Sequence, residues 1–191
     1  GLTAAVIDAS FSVDPGEIFV VMGLSGSGKS TLIRMVNGLL PATDGEIRIG
    51  EEVLSKMSPA QVRDVRRRRI SMVFQNFALL PHRTVGENAA YGLEISGVNR
   101  SDREKKAKEA LEMVGLKGWD GYRPSALSGG MKQRVGLARA LASGTDVMLM
   151  DEAFSALDPL IRRDMQDQLV DLQQRLEKTI LFITHDLNEA M

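Results

Sequence analysis

Apolar residues run along this chain in two rhythms. Between Ala5 and Val13, the residues Ala5, Ile7, Ala9, Phe11 and Val13 alternate with Asp8, Ser10 and Ser12. This period of two predicts an antiparallel strand with one wet face. A turn at Asp14-Pro15-Gly16 follows, and Thr43-Asp44-Gly45 precedes a second short alternating strand from Glu46 to Ile49. Elsewhere the apolar residues are contiguous, in Ile18–Met22, Ile70–Phe74, Val147–Met150 and Ile180–Thr184. Such runs, separated by helical stretches, predict parallel strands buried on both faces.

Helix starts are read from caps. Ser58-Pro59 supplies an N-cap and a proline at the first helical position. Ser101 with Glu104 forms a capping box ahead of Ala107, Ala110, Leu111 and Val114, and Gly115 closes that helix. Asp158-Pro159 opens a long helix with Ile161, Met165, Leu169, Leu172 and Leu176 on one stripe. The predicted fold is α/β: a mainly parallel sheet, a small antiparallel layer toward the N-terminus, and a mostly helical stretch from about Asn76 to Leu127.

Composition changes this picture little but excludes several classes. With 191 residues, 24 basic and 25 acidic side chains, and a net charge of −1, the chain suits one domain and no bulk polyanion binder. It has no cysteine, which excludes disulfides, thiolate zinc sites and a cysteine nucleophile. No apolar run approaches the ~18–20 residues of a membrane helix, so any membrane role is expected to come through a partner.

The chemistry begins at Gly23-Leu24-Ser25-Gly26-Ser27-Gly28-Lys29-Ser30, which fits G-x-x-x-x-G-K-[ST]. It follows the strand Ile18–Met22 and leads into a helix carrying Leu32, Ile33, Val36 and Leu39, the strand–loop–helix context that a P-loop requires. Glycines let successive N–H groups face one centre at a positive helix N-terminus. Gly23, Ser25, Gly26, Ser27 and Gly28 are expected to cradle ATP phosphates, with Lys29 bridging the β- and γ-phosphates, Ser30 on Mg²⁺ and Thr31 toward the α-phosphate. A second buried strand ends in Asp151-Glu152. Asp151 is expected to hold Mg²⁺, largely through water, and Glu152 to act as general base on the attacking water. Alone, these adjacent acids would read as a strand end; the P-loop gives them weight.

The next motif separates the P-loop enzymes. Leu127-Ser128-Gly129-Gly130-Met131, followed by Lys132-Gln133-Arg134, resembles the signature sequence of ATP-binding-cassette (ABC) ATPases. Gln75 follows the strand Ile70–Phe74 as that family's Q-loop glutamine does, Ser155-Ala156-Leu157-Asp158 looks like its D-loop, and His185 follows Ile180–Thr184 like its switch histidine. The resemblance covers nearly the whole chain. It implies a P-loop NTPase core (residues 1–75 and 145–191) with an inserted helical signature subdomain (76–144). Plainer readings stand beside it: Ser128 and Asp158 are also good N-caps, and Gln75 and His185 taken alone are surface residues at strand ends.

The resemblance implies a homodimer in which two cassettes meet head to tail. Each ATP then lies between Lys29 of one and Ser128 and Gly130 of the other. Gln75 would sense Mg²⁺ and the attacking water, and His185 would touch the γ-phosphate beside Glu152. Met131, where glutamine is commoner, and Ala153-Phe154 look like the branch that imports glycine betaine, proline betaine, choline and related amines. Such a cassette is a peripheral protein on the cytoplasmic face of the membrane, coupled to permease subunits and indirectly to an external substrate-binding protein. In importers the stretch from Asn76 to Val85 forms the groove for the permease; Phe77, Leu79, Leu80 and Val85 could equally be core. The competing functions are a soluble non-transport cassette ATPase and an ATP-dependent dimerisation clamp.

Arg66-Arg67-Arg68-Arg69 is expected to be a solvated helix end, not a nucleic-acid site, because it falls at the negative pole of its helix. Trp119, the single tryptophan, is expected to pack the helical part. Phe11 and Phe19 read as strand residues and poor adenine platforms. Asp186 and Glu189 resemble a helix start just before Met191, so truncation at both ends is expected, with the adenine-stacking residue outside the chain.

Overall fold

The computed structural model describes residues 4–155 and 157–186. Along the chain come β1 (Ile18–Met22), α1 (Lys29–Val36), β2 (Arg48–Ile49), β3 (Glu52–Val53), α2 (Pro59–Arg69) and β4 (Ile70–Phe74). These are followed by α3 (Val85–Ile95), α4 (Arg100–Met113), α5 (Gly129–Ala142), β5 (Val147–Asp151), α6 (Pro159–Leu176) and β6 (Thr179–Thr184). The four contiguous apolar runs form one parallel sheet in the order β1-β6-β5-β4, and β2 and β3 pair as a small antiparallel sheet. The α/β expectation holds.

The contiguous runs are explained by burial on both sides. Alternate residues Ile18, Val20, Val73, Met148, Met150, Ile180 and Phe182 join a core with the inward residues of α3 to α6. The intervening Phe19, Val21, Ile70, Met72, Leu149, Leu181 and Ile183 pack on the other face against Ile33 of α1 and Val65 of α2. A strand wet on neither face has no polar position to alternate.

Three expectations are corrected. Residues 5–13 form no strand: they are exposed or half-buried, and Asp8 sits at φ 49°. A period of two specifies a strand only when a neighbouring edge completes the ladder, and none pairs with this segment among the described residues; Phe11 instead stacks on Phe19 with ring centroids 5.1 Å apart. The helix expected from Ser101 starts at Arg100, capped by Asn99, whose side chain accepts from the Asp102 N–H at 3.0 Å and donates to its carboxylate at 2.6 Å. Asparagine caps as well as serine, and the earlier start adds the Arg100–Glu104 pair at 2.7 Å. Finally, α1 stops at Val36, with Asn37 as C-cap and Gly38 at φ 64°, so Leu39 lies beyond it and is exposed.

The other caps form where expected. Ser58 and Gln61 make a reciprocal capping box on α2, and Asp158 accepts from the Ile161 N–H at 3.1 Å to start α6. On α6, Met165, Leu169 and Leu172 are buried, Ile161 is partly buried, and Leu176 at the end of the helix is exposed.

Candidate active site

Parallel register brings the candidate residues to one edge. Met22 lies beside Thr184, Ile183 beside Asp151, and Asp151 beside Phe74. Gly23, His185, Glu152 and Gln75, each the residue after its strand, therefore emerge from the carboxyl edge of the sheet, where α/β folds bind ligands.

The loop from Gly23 wraps the N-terminus of α1. Lys29 is 7% exposed, and its ammonium donates to the carbonyls of Gly23 at 2.6 Å and Leu24 at 2.8 Å. Gly28 caps the helix without any side-chain bond, and the Leu32 N–H is satisfied by the Gly28 carbonyl at 2.9 Å. The N–H groups of Lys29, Ser30 and Thr31 accordingly have no partner within the helix. Gly28 sits at φ 90°, and a Cβ there would lie 2.1 Å from the Ala5 carbonyl oxygen, so only glycine fits. An uncapped helix end beside a buried ammonium matches a phosphate chain.

The acids sit opposite. Ser30 donates its hydroxyl to Asp151 Oδ1 at 2.9 Å. A hydroxyl and a carboxylate are hard oxygen donors, and with no group of three or more His, Cys, Asp or Glu among the described residues, they fit a magnesium held mainly by phosphates and water. Glu152 adopts φ 46°, a conformation that costs about 1 kcal/mol or more in a non-glycine residue. Its N–H bonds the Ile183 carbonyl at 3.0 Å, and its carbonyl accepts from the Ser155 N–H at 3.1 Å and hydroxyl at 2.8 Å. Thus held, its Oε2 lies 3.1 Å from Nδ1 of His185. The Gln75 amide donates to the Ser155 hydroxyl at 3.1 Å. Gln75, Ser155, Glu152 and His185 form one hydrogen-bonded row.

The 127–131 segment lies apart from that row. Ser128 caps α5, accepting from the Met131 N–H at 3.3 Å, while Leu127 is buried. A Cβ on Gly130 would come within 2.7 Å of Ile161 Cγ2, so glycine lets α5 approach α6. Ser128, Gly130 and Met131 share a cleft of about 190 Å³ with Trp119, Arg134 and Ile161. No hydrogen bond or ion pair joins residues 127–131 to residues 23–31 among the described residues. Leu157 is buried, Asp158 caps α6, and Ala156 lies outside the described residues, as do Glu189 and Met191.

The profile of the family described as ABC transporter matches residues 6–155. The chain belongs to the ABC transporter family. It is 60% identical over its whole length to the glycine betaine transport ATP-binding protein OpuAA of Bacillus subtilis, covering 46% of that protein. It is likewise 56% identical to the glycine betaine/proline betaine transport system ATP-binding protein ProV of Escherichia coli, covering 48% of it. Against the trimethylamine N-oxide transport system ATP-binding protein TmoW of Pelagibacter ubique it is 52% identical, covering 56%. The chain spans about half the length of these curated relatives. A dimeric bacterial ABC transporter cassette superimposes with a TM-score of 0.87 at 34% identity, covering 97% of this chain and 82% of that one. The same cassette in a post-hydrolysis dimer bound to ADP and Pi matches equally well.

Two polar residues of this ABC chain escaped the sequence reading. Arg139 of α5 donates to the Ala78 carbonyl at 2.7 Å and the Phe77 carbonyl at 3.2 Å, both left-handed residues after Gln75. Burial pulls its guanidinium below the usual arginine value. Asn88, fully buried in α3, bonds the Leu80 N–H at 2.7 Å and the carbonyls of Leu80, Arg83 and Thr84. The available signal was a polar residue inside an apolar helical stretch. Val85 is core and Leu79 packs against the core, while Trp119 packs the helical part and meets Tyr122 with tilted rings, centroids 4.7 Å apart. The arginines close α2: Arg67 pairs with Asp64, Arg68 with Asp64 and Glu52, and Arg69 with Asp146.

Proposed function

We propose that this chain is the ATP-binding and ATP-hydrolysing part of an importer for a quaternary amine or amine oxide, working as a head-to-tail pair. The observation that carries the reading is the edge itself. A buried lysine and an uncapped helix stand opposite Ser30–Asp151, and the Glu152–His185 pair stands beside them. The betaine and trimethylamine N-oxide relatives supply the substrate class.

In this mechanism Lys29 exchanges the carbonyls of Gly23 and Leu24 for β- and γ-phosphate oxygens, trading neutral acceptors for charged ones. The N–H groups of residues 25–31 take the remaining oxygens. Glu152 receives the proton of the attacking water, and His185 holds the γ-phosphate side of that carboxylate. Magnesium, when bound near Ser30, Asp151 and Gln75, offsets the phosphate charge. Ser128, Gly129 and Gly130 of a second copy close the far side of the nucleotide with the N-terminus of its α5, and the Ser155–Asp158 segment lies along the dimer seam. Hydrolysis removes the shared anion and favours the open form by differential affinity.

Residues 76–144 carry the contact to the membrane partner. A cavity of about 700 Å³ lies between α2, β4, α3 and α5, lined by Arg63, Arg66, Phe74, Ala78, Tyr91 and Ile95 among others. Its size and apolar floor suit a cytoplasmic helix of a permease. No helix among the described residues is long and apolar enough to cross a membrane. Attachment through the proposed permease would hold the cassette at the cytoplasmic face.

The test is Glu152→Gln in the complete natural polypeptide. ATP hydrolysis is expected to fall by roughly 100-fold or more, and ATP with Mg²⁺ is expected to hold the variant as a dimer in size-exclusion chromatography. Wild-type turnover in this variant would remove Glu152 from the reaction. Transport of glycine betaine, choline and trimethylamine N-oxide by the reconstituted complex decides the substrate.

A further inference from the structure

Gln133 lies one turn into α5 from the 127–131 segment and is 0% exposed. Among the described residues, neither its Oε1 nor its Nε2 has a hydrogen-bond partner, and no other buried side chain leaves two such atoms unpaired. An amide buried without partners is costly to keep, so a fold that places one there opposes its own stability unless another state satisfies it.

Its position indicates that state. At about 100° per residue, Gln133 falls on the strip of α5 between Gly130 and Gly136. Gly130 meets Ile161 at the start of α6, and Gly136 meets the Phe77 carbonyl. On the Phe77 side, Arg139 already occupies the carbonyls of Phe77 and Ala78. On the α6 side, Ala153, Phe154 and Leu157 pack in the same buried cluster as Val135 and Leu137 of α5. Residues 152–155 follow β5 on the way to α6, and the Ser155 hydroxyl holds the Glu152 carbonyl. Residues 152–155 are thus the stretch of backbone on the α6 side of that cluster that carries Glu152, the proposed base.

We propose that Gln133 is a positioning residue: its amide is unpaired in the single chain and pairs with the backbone of residues 152–155 when ATP draws two copies together. This rests on the ATPase reading above. The pairing ties the 127–131 end of α5 to the Glu152 turn, so that one helix seats on the partner's nucleotide and aligns its own base in the same step. The differential bonding of the two states is what gives nucleotide a preference for the closed one.

The experiment uses Gln133→Met and Gln133→Leu in the complete natural polypeptide, since both keep the volume and discard the amide. Without nucleotide, the melting temperature is expected to hold or rise. The kcat for ATP is expected to fall roughly tenfold, as for loss of about 1.4 kcal/mol of alignment, with KM changed less than about twofold. In a Glu152→Gln background the ATP-dependent dimer is expected to weaken. Turnover at the wild-type kcat overturns the proposal. So does a loss confined to KM, which would make Gln133 a nucleotide contact. A nucleotide-free protein that melts lower or fails to fold overturns it too, because the amide is then already paired at rest. A wild type that does not hydrolyse ATP defeats the ATPase reading instead, and is told apart from these outcomes in the same assay.

Discussion

The carboxyl edge of the sheet and the N-terminus of α5 both present hydrogen-bond donors at a helix start, yet they are built differently. At the edge, every strand contributes one residue and the side chains bond to one another: Ser30 to Asp151, Gln75 to Ser155, His185 to Glu152. Its helix start has no side-chain cap. At α5, Ser128 caps its own helix, and among the described residues the segment shares no hydrogen bond or ion pair with those groups. An uncapped start retains donors for a phosphate, whereas a capped start beside a glycine offers a surface for another molecule to approach. The difference teaches that the two elements are separate devices on one chain, which the proposed head-to-tail pairing of two chains would bring together.

The largest expected effect tests that separation. Lys29→Ala should weaken ATP binding or turnover by about 100-fold or more, because it deletes the one buried cation at the phosphate loop. Ser128→Ala should cost about 1 kcal/mol of helix cap and leave nucleotide affinity of a single copy near wild type, while reducing ATP-dependent dimerisation. Calorimetric titration reads the first and light scattering the second. Equal losses of monomer affinity in the two variants would break the comparison.

Gly130→Val comes next. Its Cβ would fall 2.7 Å from Ile161 Cγ2, so overpacking should destabilise the fold by roughly 1–3 kcal/mol. The double variant Gly130→Val/Ile161→Ala should recover most of that loss in denaturant melts. Dimerisation should stay impaired, since a bulky side chain still stands at the helix mouth. At the edge, Ser155→Ala removes the link between Gln75 and the Glu152 carbonyl. One hydrogen bond of about 1 kcal/mol corresponds to about a fivefold lower kcat, with KM little changed.

The edge was more legible in the sequence than its surroundings, for a physical reason. A strand buried on both faces must be a contiguous apolar run, and the residue after it must emerge at the sheet edge, so the strands put Gln75, Glu152 and His185 at that edge while the resemblance to ABC ATPases was what singled out Gln75 and His185. The phosphate loop was equally readable, since Gly28 at φ 90° tolerates no other residue. What failed depended on neighbours that a linear pattern does not name. Residues 5–13 alternate well but have no partner strand among the described residues, and Ser101 lost the cap to Asn99, whose side chain completes more bonds. Arg139 bonds the carbonyls of a loop far back in the chain and Asn88 those of the loop just ahead of its own helix, partners that a linear pattern of apolar residues does not name.

The smallest effect lies in the helical part and leaves the edge untouched. Arg83 grips Glu94 with two nitrogens at 2.8 and 3.1 Å, and also lies 5.0 Å from the Tyr91 ring. The hydrogen bond from Arg83, with a lesser Coulombic pull from Arg103, holds the Glu94 carboxyl below its ordinary 4.5. Unfolding returns Glu94 to that ordinary value, so below it the unfolded chain binds the extra proton. The stabilisation is therefore present above about pH 4.5 and fades as acid carries the pH down through the lowered value. Both side chains are partly solvated, so the contribution is modest and weakens with salt. Arg83→Met should flatten this part of the acid limb in a plot of melting temperature against pH, with the ATPase rate at neutral pH unchanged. A steeper acid limb, or a change in turnover at neutral pH, would show that the helical part and the carboxyl edge are not energetically separate.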